Sequence, residues 1–438
     1  MNILFSVDPW IYRDCAANQI YSLDKIFKKA ISALVRCGHN VKLLLGEDLE
    51  DCVIETGLNI ECDRCIVPLK ELYHIFLNHY EAHKKQFYQK ETSSQKTLLS
   101  SLVRKTLCNW KPEIVFSFTT PASVWNYIFP EALALQFENG CFSREPYPYL
   151  CQLDPFGFLS KSYPAIFMTE LQEASLSTQQ RERFQHLKTI YANQIFDLKN
   201  PINRNQLTKD KKQKILLVPL SYNGVIINDE ASTFKSQLDF LLATLYQIPS
   251  DTVVLATKHS LQMNTSIIQE TELFLQKKFK NLSFCKEFEK YAFLSQWLTP
   301  LVDGVVTLNS TVAYHAAFWN KKVFTPGFCE INSVSNSSNL TDIASVLSQS
   351  ETENTSAINV LYHLLTRYCF PLDLLFSGEK LTIRLEKMLF SWKKGDLLNS
   401  MFGMPLIQDN EDDIFKELIL KTPGLSSSYV PREWTRFT

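Results

Sequence analysis

Short apolar runs alternate with longer amphipathic stretches along the first two hundred residues. Residues 3–7, Ile-Leu-Phe-Ser-Val, read as a buried strand. Residues 20–35 carry apolar side chains at helical spacing, Cys37-Gly38-His39-Asn40 stops that helix, and residues 41–45 form a second strand, a βαβ opening. Helices are predicted over about 69–88 and 95–109. Lys111-Pro112-Glu113 follows, then a strand over 114–118, a helix start at Thr119-Thr120-Pro121-Ala122-Ser123 and a strand over 132–137. Such alternation predicts an α/β protein with a parallel, doubly wound sheet.

The polar segment 200–214, with Pro201 and a cluster of Lys, Asp and Gln, interrupts the pattern and reads as a linker. A second alternation follows it. Strands are predicted at 215–220, 252–257, 282–285, 304–308 and 322–325, with helices at 232–245, 266–279, 291–298 and 310–319 between them. Segments 332–339 and 348–355 read as loops, and the remainder to 438 as mainly helical with a loose tail. The expected organisation is a Rossmann-like unit over 1–199, a second over 200–375 and a helical C-terminal extension over 376–438. In open α/β sheets ligands bind beyond the carboxyl ends of the strands, so polar residues there rank first.

Composition narrows the chemistry. The 438 residues hold 45 Lys+Arg against 46 Asp+Glu. That net charge of −1 provides no global positive field for a phosphate backbone, and a nucleic-acid partner is not expected. Only 12 residues are glycine, against a usual frequency of about 7%. Their spacing excludes G-x-x-x-x-G-K-[ST], G-x-G-x-x-G and G-x-S-x-G, so a phosphate must be held by other means. The first residues lack a basic region ahead of an apolar core and do not read as a signal peptide. No apolar run approaches the ~18 residues of a membrane span. Eleven scattered cysteines fit reduced thiols and a cytoplasmic location.

Four constellations carry candidate chemistry. Val305-Val306-Thr307-Leu308-Asn309-Ser310-Thr311 is a strand running into Asn-Ser-Thr and then a helix, where Ser310 or Thr311 can cap and the first-turn N–H groups can face one phosphate; an ordinary N-cap is the plain alternative. Val253–Thr257 ends in Lys258 and His259, a cation and an imidazole suited to a phosphate, or a solvated lysine beside a structural histidine. Glu138 closes a strand, and Asp154 follows in a loop rich in Pro and aromatics. Two such carboxylates can divide nucleophile and base duties, or serve as an ion pair and an Asp-Pro turn. Cys62-Asp63-Arg64-Cys65 with His79 and His83 nearly matches a zinc-finger spacing, but the interval is one residue too long and lies inside an α/β domain, so no metal is expected.

Together, Asn309-Ser310-Thr311, Lys258-His259, Glu138-Asn139-Gly140 and Asp154-x-x-Gly157 resemble bacterial GT-B glycosyltransferases of surface-polysaccharide assembly, with the nearest likeness to the retaining β-Kdo transferases of capsule and O-antigen synthesis. The resemblance spans roughly residues 3–327. It implies two Rossmann-like domains facing across a cleft and transfer of a sugar, Kdo from CMP-Kdo, onto a glycan or lipid-linked glycan acceptor of capsule or lipopolysaccharide. It also implies that Asn309, Ser310, Thr311, Lys258 and His259 bind the donor, that Asp154 is the nucleophile and that Glu138 is the acid/base. The donor is a substrate; no separate cofactor and no metal are implied. Where many such enzymes place a ribose-binding Glu, this chain has His315. A transferase using CMP-sialic acid or a UDP- or GDP-sugar, and a non-catalytic assembly protein, remain the alternatives. The C-terminal helices either pack on the first half or dock peripherally at the inner membrane.

Overall fold

The computed structural model of the chain describes residues 1–7, 17–118, 120–208, 210–221, 232–258, 267, 269–350, 353–403 and 411–431. Two compact units emerge. One comprises Met1–Glu138, Cys151–Phe158 and Leu372–Pro405, and the other Asn139–Leu150, Leu159–Pro371 and Leu406–Thr438.

The first unit is built on β1 (Asn2–Val7), β2 (Asn40–Gly46), β3 (Asp63–Val67), β4 (Ile114–Phe118), β5 (Leu133–Asn139) and β6 (Leu150–Asp154), in the order β6-β5-β4-β1-β2-β3. The β1/β2, β1/β4, β2/β3 and β4/β5 ladders are parallel, with Ile3 opposite both Val41 and Ile114. Both faces of the sheet are apolar, as a sheet covered by crossover helices requires. Leu4, Leu44, Val115 and Ala134 pack under Leu99, Val103 and Trp125. On the other face Phe5 stacks on Phe116 at 4.7 Å, and Phe27 meets Phe5, Phe118 and Phe137 edge-on. The helix Gly378–Lys394 also belongs to this unit and lies against Lys28–Arg36. Gly378 permits that approach, since a Cβ there would sit 2.4 Å from Cys37 Sγ and 2.5 Å from the Ala33 carbonyl. His39 Nε2 meets Thr382 Oγ1 at 2.7 Å across the same seam.

The second unit carries β7 (Ile215–Pro219), β8 (Val253–Thr257), β9 (Leu282–Ser283), β10 (Gly304–Val306) and β11 (Lys322–Phe324), all parallel in the order β11-β10-β7-β8-β9. Gly304 lets β10 lie close to its neighbours, since a Cβ would be 2.9 Å from the Leu216 side chain. Leu216, Val218, Val254, Ala256 and Val306 form one core with Phe240, Leu241 and Leu245. Elsewhere in the unit Phe142, Tyr147, Tyr191, His315 and Phe318 interlock as an aromatic cluster. The helix Glu411–Lys421 is anchored by Glu411, which is 0% exposed. Its carboxylate accepts hydrogen bonds from Arg183, Arg367, Gln180 and the Tyr362 hydroxyl at 2.8–3.2 Å.

Numbered from the first strand of each unit, the parallel strands run 3-2-1-4-5 in both sheets, the doubly wound Rossmann arrangement, with β6 added beside β5 in the first. The α/β class and the two Rossmann-like sheets agree with expectation. Several details differ. Residues 150–154 form a strand where a Pro/aromatic loop was expected, because Leu150, Cys151, Leu153 and the rest of that run are buried as a sheet member. The helix expected over 69–88 is two, Leu69–Ile75 and His79–Phe87, divided where Asn78 takes an extended conformation and caps the second by accepting from the Glu81 N–H. Segment 200–214 lies inside the second unit, held by Arg204 on Asp303 and on the Leu301 carbonyl. Residues 376–438 do not form one extension; they divide between the units. Among the described residues no helix is long and apolar enough to cross a membrane.

Candidate functional site

In the second unit the strand order reverses between β7 and β10, so the crevice predicted by this topology opens at their carboxyl ends, flanked by β8. Lys258 follows β8 there. Its ammonium donates to Glu272 at 2.8 Å and pairs with Glu289 at 3.2 Å, and Glu272 also pairs with Lys286 at 2.8 Å. The sequence suggested a lone cation; the fold gives a cluster of two cations and two anions with no net charge. Burial pulls the Lys258 pKa down, but the two carboxylates outweigh it and hold the ammonium above its ordinary value. For Glu272, burial acts upward and is outweighed by Lys258 and Lys286, so the carboxyl is held below its usual range. Two of the three ammonium donors of Lys258 are thereby committed. His259 lies outside the described residues.

On the other side of the switch, Thr307 to Thr311 lead from β10 into the helix Val312–Phe318. Asn309, Ser310 and Thr311 are half-buried. Thr307 Oγ1 accepts from the Ser310 N–H and Ser310 Oγ accepts from the Val312 N–H, both at 3.3 Å. The Ala313 and Tyr314 amides donate to the carbonyls of Ser310 and Thr311, a tight i→i+3 opening. The helix is therefore capped by Ser310, while the Thr311 side chain makes no capping bond. Its amides at 312–314 are already spoken for, a departure from the open amide mouth expected from sequence. Any anion on this turn would be met mainly by the Asn309, Ser310 and Thr311 side chains.

His315 does not stand in for a ribose-binding carboxylate. It is fully buried, its Nε2 lies 3.1 Å from the Cys141 carbonyl, and its ring sits 4.4 Å from Tyr147. Burial pushes its pKa down to about 3, so it is a neutral core side chain.

The two candidate carboxylates both belong to the first unit. Glu138 is half-buried near the carboxyl end of β5. Asp154 ends β6 and is 1% exposed; its Oδ1 accepts from the Phe156 and Gly157 amides at 2.7 and 3.1 Å. That pattern holds the Asp-Pro-Phe-Gly turn in the manner of an Asx-turn. Around Cys62 and Cys65, burial raises both thiol pKa values, that of Cys62 to about 12, while His79 Nε2 rests on Asp48 at 3.0 Å. Among the described residues no three metal-binding side chains gather.

Sequence reasoning did not find Glu272, Lys286 and Glu289 beside Lys258. Helical spacing and charge gave no cue, because the partners lie 14 to 31 residues away in the chain.

Fold and edge together define a tandem Rossmann-type α/β protein. Among solved structures it is similar to the β-Kdo 2,7 transferase of Thermosulfurimonas dismutans KpsC, at 14% identity over 69% of this chain and 95% of that one, TM-score 0.41. It is also similar to the β-Kdo 2,4 transferase of the same KpsC (14%, 57% and 79%, TM-score 0.36) and to the UDP-GlcNAc 2-epimerase of Neisseria meningitidis (12%, 89% and 100%, TM-score 0.36). No protein-family model matches the chain, and no curated protein matches it in sequence.

Proposed function

We propose that this protein is a metal-independent glycosyltransferase of the GT-B type that uses a nucleotide-sugar donor, CMP-Kdo, and a surface-polysaccharide acceptor. One observation carries the reading: Lys258 and Asn309-Ser310-Thr311 flank the switch point of the second Rossmann-like sheet, at the carboxyl edge where such sheets bind nucleotides. A single phosphate suits this edge better than a pyrophosphate, because the motifs that cradle longer phosphate chains are missing from the sequence. Lys258 and the hydroxyls of Ser310 and Thr311 would hold the CMP phosphate, with His259 beside them.

Chemistry is assigned to the carboxylates of the first sheet. In a retaining double displacement, the Asp154 carboxylate attacks the anomeric carbon as the bond to the CMP phosphate breaks and CMP departs. The acceptor hydroxyl then attacks that carbon, its proton passes to Glu138, and Asp154 is released as a carboxylate. Because Oδ1 accepts from the Phe156 and Gly157 amides, attack through Oδ2 would leave that turn in place. Glu138 is the more accessible of the two, so the reverse division of labour is the variant to test beside it.

The test is calorimetric titration with CMP, UDP and GDP, followed by a transfer assay with CMP-Kdo and CMP-sialic acid. Selective CMP binding and transfer from CMP-Kdo support the proposal. Stronger binding of UDP or GDP moves the donor to that class, and no binding of any nucleotide favours a non-catalytic assembly protein.

A further inference from the structure

A cavity of about 330 Å³ lies in the first unit. Ser123, Asn126 and Tyr127 line it from the helix Ala122–Ile128; Lys96 comes from the helix Ser93–Thr106, with Gln89 and Glu91 from the segment before it. Positions 123, 126 and 127 share one face of a helix whose other face, Ala122, Val124, Trp125 and Ile128, is buried against the sheet. This face of the helix is polar, with Asn126 exposed and Ser123 and Tyr127 half-buried.

The lining is built for hydroxyl groups. Gln89 and Asn126 each offer a carboxamide acceptor and donor, and Ser123 a hydroxyl that does both. Among the described residues none of these three side chains makes a hydrogen bond within the protein. Lys96 supplies donors and Glu91 acceptors, so the cavity holds one charge of each sign. The Lys96 ammonium lies 5.5 Å from the centre of the Tyr127 ring. Burial, then the Glu91 carboxylate, pushes the Tyr127 pKa up, which keeps its phenol a donor; it reaches Glu91 Oε1 at 3.5 Å.

A phosphate would meet Glu91 and one cation, and an apolar ligand would strand six polar side chains. A sugar ring fits both constraints, because its adjacent hydroxyls each donate and accept, as the carboxamides do. The volume is at the low end of ligand pockets, which selects one ring over a whole nucleotide.

We propose that Gln89, Glu91, Lys96, Ser123, Asn126 and Tyr127 form a binding site for a single saccharide unit, separate from the nucleotide edge of the second sheet. The site recognises a monosaccharide or one residue of a longer glycan. This inference does not depend on the transferase reading, since it rests on the lining alone.

The experiment uses the full chain and saturation-transfer NMR with the methyl glycosides of glucose, galactose, mannose and N-acetylglucosamine, and with free Kdo, at millimolar concentration. At least one sugar should give ring-proton signals. Asn126→Ala should weaken binding about fivefold, and Asn126→Trp, which fills the cavity from an exposed helix position, should abolish it. CMP binding, measured in parallel, should be unchanged in both variants. Silence from every sugar overturns the inference, as does a signal that survives Asn126→Trp. Loss of CMP binding in either variant would also overturn it, because the site would then not be separate from the nucleotide edge.

Discussion

Replacing Lys258 by Met tests whether this lysine holds a ligand or only its neighbours. In the wild type it meets Glu272, whose side chain is 2% exposed, and removal leaves that carboxylate with Lys286, itself 42% exposed, as the remaining cation partner. Breaking a buried pair costs about 3–5 kcal/mol, and the surviving lysine places the single variant near the lower figure, about 3 kcal/mol. Replacing both Lys258 by Met and Glu272 by Leu removes the buried charge along with its partner and should recover most of that loss. The two variants therefore separate stability from binding. Urea unfolding reads the first and calorimetry with CMP the second. A charge-assisted hydrogen bond to the phosphate is worth about 1.5–3 kcal/mol, so CMP affinity should fall about 10- to 150-fold in the single variant and stay low in the stable double variant. If the double variant binds CMP as the wild type does, Lys258 is a structural residue and the donor edge has been misassigned. The cluster also has a pH window. The contribution of Glu272, whose pKa is lowered, is present above 4.5 and lost as pH falls through its folded value. That of Lys258, whose pKa is raised, is complete below 10.5 and lost as pH rises through its folded value.

Asp154→Asn and Glu138→Gln should each abolish sugar transfer while leaving CMP affinity unchanged; full turnover in both would remove these carboxylates from the chemistry. Glu411→Ala strips the shared anion from Arg183 and Arg367, 7% and 11% exposed, and should cost about 3–5 kcal/mol in urea unfolding; a loss below about 1 kcal/mol would mean that Asp412 alone suffices for Arg183. His315 and His363 are buried with pKa values lowered by burial to about 3, so the unfolded chain takes up protons first as pH drops below 6.5. Each should then cost about 1.4 kcal/mol per pH unit, and His363→Phe should flatten the stability profile between about pH 6 and 4; an unchanged slope would rule out His363 as a source.

The sheet framework was legible because most strands are buried on both faces and read as unbroken apolar runs. The strand at 114–118 is observed with the expected bounds, and 253–257 differs from expectation by one residue. What escaped is two short strands of the first sheet. Asp63–Val67 mixes exposed Asp63 and Arg64 with buried Val67, so it gives no clean period, and Leu150–Asp154 follows Pro146 and Pro148, whose turn chemistry masked a short strand. The candidate site was legible only as residue types at strand ends. Which partners those residues take is set by packing: Lys258 is claimed by glutamates from later elements, and Asp154 by two amides just beyond it. The network on Glu411 joins residues up to 231 positions apart, a separation no local pattern encodes.

The backbone passes from one unit to the other five times, at 138/139, 150/151, 158/159 and 371/372 and once between 403 and 411. A ribosome delivers the chain from its amino end, so the nascent first unit waits for the strand Leu150–Asp154 and, much later, for the helix Gly378–Lys394. Until then that part of the polypeptide is unfinished, and its exposed greasy surface invites chaperones. No single cut in the gene releases either unit whole. Fragments ending near residue 200 are therefore expected to clump inside cells.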